Sequence, residues 1–208
     1  MPIGTILLII AAILVYFGLA ERVLDRMRMT DRAALVVIAV LIGGSFINFR
    51  LAPPPAELII NVGGAIVPLA VSLWLIITAD ESVEKVRGSL AALITGVAMY
   101  GAAKLLNPEE QTMLIDPVFV FAIIAGVVGY LAGRSRRSAF IAGLSGVILG
   151  DIFHYIELLV ARLPGRTWLG GAGAFDAVII AGLLAVLLAE VVGETRERLA
   201  QGSPGENR

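Results

Sequence analysis

Apolar residues run along this chain in long blocks, broken at regular intervals by short polar stretches. The blocks fall at roughly 3–20, 33–49, 57–78, 88–106, 114–132, 138–161 and 171–192. Most approach the ~20 residues that a helix needs to cross ~30 Å of hydrocarbon. The pattern predicts an all-α, polytopic membrane protein with about seven transmembrane helices. Residues 1–195 form one transmembrane domain, and residues 196–208 (RERLAQGSPGENR) form a disordered cytoplasmic tail. The first block lacks the basic start and small-residue cleavage site of a secretory signal, so it reads as a retained first span. Segment 20–32 (AERVLDRMRMTDR) alternates charge at helical spacing and reads as a cytoplasmic extension of that span. Pro53, Pro54 and Pro55 predict a stiff turn before the third span.

Composition agrees with this reading. The chain is 58% hydrophobic with a mean hydropathy of +0.91, which leaves too little polar surface for a soluble domain. A net charge of −1 gives no electrostatic case for nucleic acid. Without cysteine there is no disulfide, thiolate ligand or cysteine nucleophile, and a single histidine excludes multi-histidine zinc sites. All basic residues except Arg50, Lys104, Arg162 and Arg166 fall in alternate connections and the tail. Positive charge near span ends stays in the cytoplasm. The split places the N-terminus outside and the C-terminus inside, in a cell (inner or plasma) membrane.

Ionisable residues within a span are expensive and are candidates for function. They concentrate in Gly150–Asp176, where Asp151, His154 and Glu157 follow i, i+3, i+6 spacing and share one side of a helix. From the helix rise, Glu157 lies roughly 6 Å, His154 roughly 10 Å and Asp151 roughly 15 Å below the outer end, and Asp176 lies roughly 7 Å down its own span. Such a ladder can carry protons or ligate a cation, with Mn, Mg or Ca suiting mixed oxygen and single-nitrogen ligands. Equally, His154 and Glu157 can be interface groups while Asp151 pairs with a neighbouring helix. Asp176, after Gly170, Gly171 and Gly173, and Asp116, before Pro117, also fit helix N-caps. Glu57 and Asn61 share a face of the third span, ahead of a break at Gly63-Gly64 and Pro68. Gly126, Gly129, Gly133, Gly143 and Gly146 read as packing surfaces.

A gapless internal match superposes Val40, Gly43, Phe46, Gly63, Gly64, Ala65, Ala70 and Val71 on Val147, Gly150, Phe153, Gly170, Gly171, Ala172, Ala177 and Val178. It predicts a parallel three-one-three repeat with halves at 1–87 and 107–195, and transporters often carry their sites where such repeats meet. The layout resembles that of the SWEET sugar transporters in topology only.

Residues 2–35 (PIGTILLIIAAILVYFGLAERVLDRMRMTDRAAL), NVGGAIVP at 61–68 and GGAGAFDAVIIAGLLAVLLA at 170–189 resemble a prokaryotic membrane family, domain-of-unknown-function family 1614. That resemblance covers nearly the whole chain and implies a multi-pass membrane protein with no established activity. Leu149-Gly150-Asp151 with Phe175-Asp176 is similar, locally, to the paired aspartates of presenilin-type intramembrane proteases, where two carboxyls share a proton. The order of the two motifs is reversed here, Ile148 replaces a glycine, and the Pro-Ala-Leu tripeptide is missing. The expected role is movement or sensing of a small cation or proton-coupled solute in an outer cavity. Asp151, His154, Glu157 and Asp176 would exchange protons or hold a divalent cation, supported by Asn61 and Glu57. The alternatives are an aspartyl hydrolase using Asp151 and Asp176, and a scaffold whose polar residues are structural.

Overall fold

A computed structural model describes residues 3–20, 23–25, 29–106, 117–171 and 174–201. Its elements are α1 (Ile3–Tyr16), α2 (Asp31–Gly44), β1 (Asn48–Ala52), β2 (Ala56–Asn61), a π-helical turn (Val62–Ile66) that runs into α3 (Val67–Ile77), α4 (Ser82–Leu106), α5 (Pro117–Gly133), α6 (Arg136–Ala161), β3 (Gly165–Leu169) and α7 (Ala174–Gln201).

Among the described residues three helices are long and apolar enough to cross a membrane: Ser82–Leu105, Arg136–Ala161 and Phe175–Gly193. The expected count of seven is not reproduced. Ile3–Tyr16, Val62–Ile77 and Val118–Gly133 are shorter; a helix of 14 residues rises only about 21 Å.

The all-α expectation is corrected by a three-stranded sheet of order β1-β2-β3. β1 pairs antiparallel with β2 through the Pro53–Pro55 turn, and β2 pairs parallel with β3, setting Glu57 opposite Arg166 and Ile60 opposite Leu169. The expected third span therefore begins as strand. A short apolar run is ambiguous between strand and helix, and β-branched Ile59 and Ile60, bounded by prolines and glycines, satisfy the strand pattern. Six extended residues rise about 20 Å, so strand plus helix is as long as one continuous helix.

The 20–32 segment is not an extension of α1. That helix ends at Tyr16, and Gly18 takes a left-handed φ of 71°. The chain then folds back, so that Leu24 and Met29 are buried in a cluster with Leu75 and Ile141. α7 continues to Gln201, so the first residues of the expected tail are helical and the remainder lies outside the described residues.

α6 is the centre of the bundle, packed on α4, α5 and α7. Small residues make these approaches possible, as expected: Gly146 abuts Thr95, Gly143 abuts Ala181 and Gly182, and Gly126 abuts Leu184. Thr30 and Ser135 cap α2 and α6, accepting from the Ala33 and Ser138 amides. At the far end of α3, the buried Arg137 guanidinium donates to the Leu75 carbonyl at 3.0 and 2.5 Å and to Thr78 Oγ1 at 2.6 Å.

Candidate functional site

α6 ends at Ala161, and the left-handed φ of 52° at its C-cap Arg162 reverses the chain. The Leu163 amide donates back to the Leu158 carbonyl, and Gly165 lies against the Leu158 side chain. β3 therefore descends along the helix it has just left. This brings the Gly170 backbone close to the carboxyl of Asp151. Its carboxyl oxygen Oδ2 is buried with no hydrogen-bond partner among the described residues.

Gly170 also meets the π-helical turn. A Cβ on Gly64 would overlap the Gly170 carbonyl oxygen, and a Cβ on Gly170, whose φ is +66°, would overlap the Gly64 carbonyl. Two strand-to-helix breaks thus cross backbone to backbone beside Asp151, in a contact only glycine allows.

Asn61 fixes one side of the crossing. It is 3% exposed, and its Oδ1 accepts from the Gly64 amide at 2.7 Å. Its Nδ2 donates to the Ser45 carbonyl at 2.7 Å, the Ile47 carbonyl at 3.3 Å and Asn48 Oδ1 at 2.9 Å. This one side chain caps the π turn and ties it to the end of α2 and the start of β1.

Asp176, the third residue of α7, fixes the other side. Its Oδ2 accepts from the Ile3 amide at 3.2 Å and its Oδ1 from the Gly4 amide at 2.9 Å. The carboxylate satisfies the unpaired first amides of α1 and binds that helix to α7. Asp151 and Asp176 thus have separate surroundings, one beside Gly170 and the other at the start of α1.

The remaining predicted residues form two ion-pair groups. Glu57, with a side chain only 4% exposed, is held between Arg166, which donates to Oε2, and Arg50, whose Nε is 2.8 Å from Oε1. Both arginines are more than half exposed. Glu157 pairs with Lys104 at 2.5 Å and lies 3.6 Å from His154 Nδ1. Tyr100, one turn before Lys104, stacks edge-on against Phe153. The ladder on α6 is therefore divided: His154 and Glu157 face Lys104 on α4, while Asp151 faces Gly170. No group of three or more metal-ligating side chains occurs among the described residues. Asp116 lies outside them.

Sequence reasoning missed the partners rather than the acids. Arg50, Lys104 and Arg166 belong to the minority of basic residues on the side assigned to the exterior. Their placement against the charge rule was the available signal that each has an acidic partner there. No curated protein and no solved structure matches the chain. The family model described as a protein of unknown function, DUF1614, matches residues 13–188, and by that match the chain belongs to the DUF1614 family.

Proposed function

We propose that this chain is an integral membrane protein that moves or senses a small cation or a proton-coupled solute, with Asp151 as its proton-exchanging group. The observation that carries the reading is the buried, unpartnered Oδ2 of Asp151 beside the Gly64–Gly170 crossing. An unpaired charge in such a place is costly, so a carboxyl that takes up and releases a proton fits it better than a permanent anion. Broken elements whose helix starts converge at membrane depth are a recurrent way of building a transport site, because irregular backbone is tolerated there only within protein or along a cavity. The parallel pairing of β2 with β3, and the contact of two glycine pairs that also align in the internal match, support a parallel repeat meeting at this point. Asn61 and Asp176 hold the two breaks in place; Glu57, Glu157 and His154 stabilise the outer end.

The orientation follows the same logic. Among the described residues the outer edge of β1 has no strand partner, and such an edge is not tolerated in hydrocarbon; the opposite end of the bundle carries Lys85, Arg87, Arg134, Arg136 and Arg137, so we read the sheet as facing outward.

The test is flux through reconstituted vesicles holding a pH-sensitive dye. Gradients of sodium, potassium, magnesium, calcium or manganese are imposed in turn. The reading expects internal pH to move with one of these cations and the response to vanish in Asp151→Asn. Coupled movement that persists in Asp151→Asn removes Asp151 from the role, and no coupled movement with any cation sinks the transport half of the proposal.

A further inference from the structure

At the end of the bundle away from the sheet, a groove of about 500 Å³ opens along α4 beside Ala132 of α5. Val83, Val86, Leu90 and Ile94 line its length, and Ser82 and Arg87 are its polar members. The four apolar residues follow one helical stripe, and each is more than half exposed. Among the described residues nothing covers them. Arg87 makes no ion pair among the described residues, although Glu84 stands one turn before it on the same helix.

The dimensions choose the occupant. From Ser82 to Ile94 the helix rises roughly 18 Å, close to one leaflet of a ~30 Å hydrocarbon layer. Both polar members, Ser82 and Arg87, lie in the first half of the groove, Arg87 has no ion pair among the described residues, and beyond Arg87 the lining is apolar. A detached anion would leave the stripe bare, and a plain alkyl chain would leave Arg87 without a counter-charge. We propose that this groove is a binding site for a phospholipid of net negative headgroup, its phosphate on Arg87 and one acyl chain along Leu90 and Ile94. Basic pockets at membrane surfaces recognise acidic lipids in this way. The site is independent of Asp151, which faces the other end of the bundle.

The experiment uses the purified full-length protein in neutral detergent. It is incubated with phosphatidylglycerol or with phosphatidylcholine of identical chains, and bound lipid is counted by native mass spectrometry. Wild type should retain one phosphatidylglycerol in clear preference to phosphatidylcholine. Arg87→Gln should lower phosphatidylglycerol retention about five-fold, the effect of one basic residue at an acidic surface, and leave phosphatidylcholine unchanged. Leu90→Trp, an exposed position that tolerates the change, should lower retention of both. Equal retention of the two lipids by wild type, or unchanged phosphatidylglycerol retention in Arg87→Gln, overturns the proposal. So does a wild-type dimer that Leu90→Trp dissociates, because the occupant would then be a second copy of the chain.

Discussion

Replacing Asn61 with alanine removes more than a polar side chain; it removes the joint between α2, the sheet and the π turn. The cap on Gly64 is lost, leaving a buried amide unsatisfied, which costs about 1–3 kcal/mol. The bonds to the Ser45 carbonyl and to Asn48 Oδ1 go with it, each worth about 0.5–1.5 kcal/mol. Allowing for partial relaxation, Asn61→Ala should destabilise by about 2–4 kcal/mol. For a chain of this size that lowers the apparent melting temperature by roughly 5–15 °C. The assay is a thermal scan of detergent-purified protein at one fixed rate, since membrane proteins commonly unfold irreversibly. Asn61→Asp is the discriminating variant. It keeps an oxygen for the Gly64 amide but sets an anion against the Ser45 and Ile47 carbonyls, so it should be no more stable than the alanine variant. Asn48→Ala, which deletes one of these bonds, should cost about 1 kcal/mol. Wild-type stability in Asn61→Asp would refute the reasoning, because it would mean that the three donated bonds carry no weight.

Three further predictions use other parts of the crossing. Gly170→Ala should cost about 2–4 kcal/mol, combining overpacking against Gly64 with a left-handed φ, and should lower the melting temperature accordingly; a silent substitution would mean that the backbones do not touch. Asp176→Ala should cost about 0.5–2 kcal/mol, and hydrogen exchange should quicken in the first turn of α1 while the body of α7 is unaffected. Protection unchanged at Ile3 and Gly4 would refute the assigned cap. Arg50 and Arg166 changed together to alanine should cost about 3–5 kcal/mol, because Glu57 is left as a buried, unpaired charge. Either single change should cost less than half as much, and adding Glu57→Gln to the double variant should recover stability in a thermal scan.

Hydrophobic blocks located α4, α6 and α7 well because each is a continuous apolar run long enough to span a membrane. They misread residues 57–61, where ELIIN is too short to choose between strand and helix; pairing with β1 and β3 decides it. The glycines that flank the strand were legible, and the internal match brought Gly63-Gly64 and Gly170-Gly171 into register before their contact could be seen. The acids were legible as well, since ionisable groups stand out in an apolar chain. Their partners were not: Asp176 binds amides 172 and 173 residues away, and Lys104 reaches Glu157 from another helix. Spacing along one helix placed Asp151, His154 and Glu157 together. The tertiary fold separates them because β3 returns along the side of α6 that carries Asp151, while α4 occupies the side that carries Glu157.

The central claim is that Asp151 exchanges a proton where the two breaks cross. Infrared difference spectroscopy of the protein in lipid, stepped through pH, tests it most directly. The account predicts a carboxyl carbonyl band that rises and falls with pH and is absent from Asp151→Asn. It also predicts that the band shifts in Gly170→Ala, where the neighbouring amide is displaced. A titrating spectrum identical in wild type and Asp151→Asn would contradict it.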